Sequence, residues 1–106
     1  MDNRTRLILL YDFYGPLLTD RQRELFELHH QYDLSLGEIA ENFQISRQAV
    51  HDLLRRTVSQ LHHYEEKLQL MVKHFQRQAL LQQLEQALAG GNVDAARALA
   101  GQLKNS

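Results

Sequence analysis

The chain has 106 residues, 12 basic and 13 acidic, for a net charge of −1 with neutral histidines. Its 43% hydrophobic and 24% charged residues are the balance of a globular domain long enough to bury a core without covalent staples. The absence of cysteine excludes disulfides and thiolate metal sites and points to the reducing cytoplasm, and one proline with five glycines is too little turn chemistry for an all-β fold.

The first helix is expected over Arg4 to Leu17. Leu7, Leu10, Tyr11 and Tyr14 recur at the spacing of one helical face, while Ile8 and Phe13 lie off it. A helix apolar on more than one side must be covered on more than one side, by its own domain or by another chain. The longest apolar run, Leu7 to Tyr11, is far short of a membrane span. It follows two arginines as a signal peptide would, but Asp12 ends it too early and no small-residue cleavage site follows. Gly15-Pro16 stops the helix, because the residue before proline is driven out of the helical region.

Thr19 to Gln22 and Ser35 to Glu38 both carry the capping-box pattern, in which the first side chain accepts from the third helical amide and the Gln or Glu reaches back. They predict a second helix ending near Asp33 and a short third one ending near Asn42. Ser46 caps the fourth. Leu34 with Ile39, and Ile45 with Val50, occupy hydrophobic-staple positions. Val50, Leu53, Leu54, Thr57, Val58 and Leu61 form the inward stripe of this fourth helix.

No glycine or proline interrupts residues 47–89, and one helix of that length would run about 64 Å. Leu61, Leu68 and Phe75 recur every seven residues, with Tyr64 and Met71 between them, a short coiled-coil seam. With Leu7, Tyr11 and Tyr14 of the first helix, these residues are the candidate interface of a homodimer; the alternative is that the two elements pack on each other within one chain. Gly90-Gly91-Asn92 is the first strong stop, and Asn92 can cap a last helix, Val93 to about Leu103, whose alanine-rich face suggests weak anchorage.

The expected organisation is therefore a helical domain at 1–58, a long helical extension at 59–89 and a short, loosely held terminal helix at 90–106. Within the first, residues 36–55 have the pattern of a helix-turn-helix. Ala40 is small where two helices cross closely, Ile39 and Phe43 face inward, Ile45 sits in the turn, and Val50 and Leu53 pack the second helix back on the first. The charge is arranged to suit this. Residues 1–45 carry a net −4, residues 46–77 a net +3, and residues 78–106 none. The positive excess starts at Ser46, where the second helix begins.

In DNA readers the N-terminal part of that helix enters the major groove. Here it offers Ser46, Arg47, Gln48, His51, Arg55 and Arg56. Arginine pairs with the guanine edge and glutamine with the adenine edge, and Ser46 stands where free helix amides can hold a phosphate. The bland alternative is the solvated side of an amphipathic helix. Asp52 and the acidic helices before it would repel phosphate.

Several strings in this order resemble the YlxM-type family of small bacterial helix-turn-helix proteins. They are Tyr11 to Tyr14 (YDFY), Leu17 to Thr19 (LLT), Leu34 to Ala40 (LSLGEIA), Ile45 to Val50 (ISRQAV) and Tyr64 to Leu68 (YEEKL), covering about residues 6–77. Residues 36–55 are also similar to the promoter-reading region 4 of sigma factors. The resemblance implies an all-α fold, a sigma region 4-like helix-turn-helix bundle followed by a long C-terminal helix. It also implies a regulatory accessory of the signal recognition particle pathway, since members are encoded beside its GTPases, and no catalytic residues. The implied partners are DNA, the particle's RNA or its GTPases. A sigma-like transcriptional regulator unrelated to targeting is the alternative. Gln44 departs from the pattern, standing in the turn where glycine is preferred, and would pay a cost at positive φ.

No enzyme is expected. There is no P-loop, dinucleotide glycine motif or nucleophile elbow, and Asp12 and Glu24 lack a partner for acid–base work. Six histidines invite a metal reading, and His62 and Glu66 stand at i, i+4, but no zinc ligand set is complete. No metal site and no cofactor is expected.

Overall fold

A computed structural model describes residues 1–106. All regular structure is helical, so the fold is all-α, as its sequence pattern implies. In chain order the helices are α1 (Asn3–Tyr14), α2 (Asp20–His30), α3 (Leu36–Phe43), α4 (Arg47–Leu68), α5 (Leu70–Ala89) and α6 (Val93–Lys104). A short 3-10 turn, Gly15–Leu17, follows α1. The chain divides into two units, Met1–Leu68 and Gln69–Ser106.

The caps set the helix starts of the first unit. Asp2, which the sequence reading passed over, accepts the Thr5 amide at 2.7 Å and starts α1. Both bonds of each capping box form: the Gln22 amide donates to Thr19 and the Thr19 amide to Gln22, and Glu38 and Ser35 exchange the same pair. A Cβ at Gly15 would approach the Tyr11 ring at 3.3 Å, so any other residue there asks that stacked ring to shift by a few tenths of an ångström.

Helices α1, α2 and α3 all pack on α4. Helix α4 buries Val50, Leu54, Thr57, Leu61 and Glu65, a stripe of three- and four-residue steps. Leu10 and Tyr14 from α1, Leu25 and Phe26 from α2, and Ile39 from α3 complete this core, each fully buried. Its polar members are bonded. The Thr57 hydroxyl donates to the Leu53 carbonyl at 2.8 Å. The Tyr14 hydroxyl donates to the Glu65 carboxylate at 2.5 Å across 51 residues of chain. A hydrogen bond to a carboxylate contributes roughly 1.5–3 kcal/mol, enough to matter in a domain of this size.

Helix α1 is apolar on more than one side because it serves two neighbours. Tyr14 points to α4, while Tyr11 stacks on Phe26 of α2 at 4.4 Å and donates to Glu27 at 2.5 Å. Burial first, and then the Glu27 carboxylate, push the Tyr11 hydroxyl up to about 12.

The uninterrupted 47–89 pattern is two helices. Gln69 takes the left-handed conformation, with φ 54°, and ends α4 without any glycine or proline to mark the place.

The second unit is a helical hairpin, α5 packed with α6. Gly91, with φ 71°, makes the turn, and the Asn92 amide returns to the Ala87 carbonyl at 2.8 Å. The Asn92 side chain caps α6 by accepting from Ala95 at 3.0 Å. The tail, expected to be weakly anchored, lies along α5. Ala96 is buried, and Leu80, Leu84, Ala87, Leu99 and Leu103 are partly covered. Arg77 donates to the Ser106 backbone at 3.2 Å.

Candidate nucleic-acid interface

The site is built by α3, its turn and the start of α4. Ala40 is 5% exposed beside the fully buried Ile39 and Val50, and its short side chain lets the two helices cross closely. The turn closes through Gln44, at φ 54° and ψ 43°, and through the Ile45 amide, which donates to the Ala40 carbonyl at 3.0 Å. Glutamine thus holds the left-handed position that glycine would occupy without strain. Ser46 then caps α4, accepting the Ala49 amide at 3.0 Å.

Ser46, Arg47, Gln48, His51, Arg55 and Arg56 are all exposed. They are not equivalent. Arg47 lies across the first turn of α3, where a Cβ on Gly37 would stand 3.6 Å from its Nε. Its guanidinium therefore adds to the positive end of the α3 dipole, and the pair favours a phosphate. Gln48, His51 and Arg55 gather around Asp52. Gln48 donates to it at 3.0 Å, His51 stands 3.6 Å away and Arg55 3.8 Å away. Arg56 instead folds back on its own helix, its Nε donating to the Asp52 backbone carbonyl at 3.4 Å.

Asp52, expected to repel phosphate, also holds three candidate base-readers in one cluster. Gln48 at i−4 and Arg55 at i+3 from it were the available signal. These pairs are loose. The Arg55 side chain is 71% exposed, and ion pairs this exposed are worth about 0–1 kcal/mol. A phosphate or base edge can displace Asp52 at little cost.

The family model that matches residues 1–97 is described as "Putative helix-turn-helix protein, YlxM / p13 like". The chain belongs to this family, UPF0122. The UPF0122 protein of Symbiobacterium thermophilum is 46% identical over 97 residues, covering 92% of this chain and 91% of the relative. That of Halalkalibacterium halodurans is 49% identical over 88 residues, 83% and 81% of the two chains. A UPF0122 protein of Bacillus cereus is 48% identical over 89 residues, 84% and 81%. UPF0122 is described as a family of helix-turn-helix proteins, which suggests nucleic-acid binding. No three His, Asp or Glu side chains of this member lie close enough to share a metal ion, and no helix is long and apolar enough to cross a membrane.

The candidate dimer residues fall into three groups. Tyr11, Tyr14 and Leu61 are 8%, 0% and 0% exposed within a single chain, so the first unit's own core occupies them and leaves a partner copy nothing to bury. Met71 is likewise buried at 2%. Leu7 and Tyr64 are half-buried, and Tyr64 reaches the Leu17 carbonyl at 3.5 Å. Leu68 and Phe75 are exposed, at 43% and 40%.

Proposed function

We propose that the chain is a nucleic-acid-binding regulatory accessory of the signal recognition particle pathway, working as a homodimer through the first three turns of α4. The observation that carries this reading is the cluster of Arg47, Gln48, His51 and Arg55, displayed on a capped helix beside the turn of a helix-turn-helix. The charge pattern supports it. A chain with net charge −1 cannot be held on nucleic acid by bulk charge, so binding must use a local patch, and residues 46–77 supply one at net +3. The link to targeting rests on the YlxM-type likeness.

The paired Arg and Gln also suit base edges of DNA, which favours a second reading as a sigma-like transcriptional regulator. One titration separates the two. The protein is measured against the particle's RNA, its GTPase and the promoter DNA of its own operon, at low and physiological salt. The accessory reading expects saturable RNA binding that falls steeply with salt. Binding to the promoter alone makes it a transcriptional regulator. Salt-insensitive binding to the GTPase alone removes the helix-turn-helix face from the mechanism. Arg47→Ala and Arg55→Ala should each weaken nucleic-acid binding by about 1–3 kcal/mol while helicity is unchanged, because both side chains are outside the core. Unaltered affinity in both variants overturns the assignment of this face.

A further inference from the structure

Beside the α4 face, the end of α2, the first turn of α3 and the middle of α4 enclose a half-open cleft of about 340 Å3. That volume is at the lower end of the range for small-molecule sites. Its floor is apolar: Leu36, Leu54 and Val58. Its wall is aromatic, since His29 stands edge-on to His30 at 4.9 Å and His30 leans on Phe26 at 4.3 Å. Its rim is His51 and Arg55. No carboxylate lines it, although acidic residues outnumber basic ones in the whole chain.

The polar atoms define the complement. Burial first, and then the neighbouring His29 and Arg4, hold His30 below the ordinary imidazole range, so its ring is neutral near pH 7. The His29 Nδ1 is 2.9 Å from the Leu34 carbonyl, which fixes the proton on that nitrogen and turns Nε2 away from it. Among the lining residues Arg55 is the one permanent positive charge; its pair with Asp52 is long, at 3.8 Å, and exposed, so its planar fork can turn to a ligand carboxylate in two parallel bonds. One charge over an apolar floor suits a monoanion better than a doubly charged phosphate.

We infer that this cleft is a binding site for a small monocarboxylate with an apolar body. The inference does not depend on nucleic-acid binding, but Arg55 and His51 belong to both surfaces, so a ligand here draws on side chains that the α4 face uses.

The test is a nuclear magnetic resonance titration of the full chain with 3-phenylpropionate, and with its amide as the uncharged control. Saturable shifts are expected at the Leu36, Leu54 and Val58 methyls and the His29 and His30 rings. The amide, and the acid on Arg55→Gln, should bind about tenfold more weakly, the loss of one charge-assisted pair. Val58→Phe, which fills the floor, should abolish the shifts. The Arg55 variant alters an exposed side chain and keeps the test valid if Val58→Phe does not fold. The inference is overturned by acid and amide binding alike, by unaltered binding to Arg55→Gln, or by no saturation with the acid at millimolar concentration.

Discussion

Gln44 shows how much a single backbone position can decide. It must take φ 54° for α4 to leave the turn at the angle that displays Arg47 and Gln48. An L-residue in that region costs roughly 1–2 kcal/mol, which glycine avoids while paying about 0.5–1 kcal/mol in chain entropy. Gln44→Gly should therefore raise stability by up to about 1 kcal/mol, and roughly 4–8 °C of melting temperature accompanies each kcal/mol in a domain of this size. Thermal and urea melts check it, and a lower midpoint would mean that the glutamine side chain does more than tolerate the turn. Asp52 acts at the same scale in the opposite sense. It organises its neighbours without strain and gives them up cheaply, because its pairs are exposed.

At the scale of helices, local chemistry was legible and tertiary chemistry was not. Thr19, Ser35, Ser46 and Asn92 each cap the helix their neighbours in the sequence announce, because a cap is settled within four residues. The helix-turn-helix was readable for the same reason: Ala40, Ile45 and Val50 act over one turn. The break at Gln69 left no trace, since glutamine is an ordinary helix former and no glycine or proline marks the place. The cleft was equally hidden, because His29 and His30 stand some twenty residues from His51 and Arg55 and meet them only when α2 packs on α4. The double-sided character of α1 was visible, but not which neighbours it served. Tyr11 makes its link to α2 testable. Its hydroxyl ionises at about 12 in the folded chain against an ordinary 10, so the folded state holds a proton that the unfolded chain has lost between those values. The stability that burial of this hydroxyl, and then its bond to Glu27, ties to the protonated form is thus full below pH 10 and lost as the pH rises towards 12. A spectrophotometric titration should show a late tyrosinate whose amplitude drops by one residue in Tyr11→Phe, together with a shallower loss of stability over that interval. An unchanged amplitude would place the late ionisation elsewhere.

For the whole molecule, the question is how a chain with no net positive charge gathers enough of it on one surface. A second copy doubles the net +3 segment, and two linked faces bind more tightly than either alone without any new contact. The surface available for pairing is narrower than the seven-residue seam suggested, because Tyr11, Tyr14 and Leu61 are spent on the first unit's core. What is left is exposed apolar side chain: Leu68 at the end of α4, and Phe75, Leu81 and Leu88 along α5. Helix α5 has apolar residues around most of its circumference, and α6 covers one side of it. A helix of that kind is under-buried unless something else covers it. Light scattering of the full chain should therefore give twice the 12.4 kDa mass at micromolar concentration. Leu68→Glu with Phe75→Glu should return the monomer with its helicity intact, since neither side chain belongs to the core of its own unit, and should lower nucleic-acid affinity by removing the second face. A 12.4 kDa species in the unaltered chain would overturn the dimer and leave each copy to bind with its own patch alone.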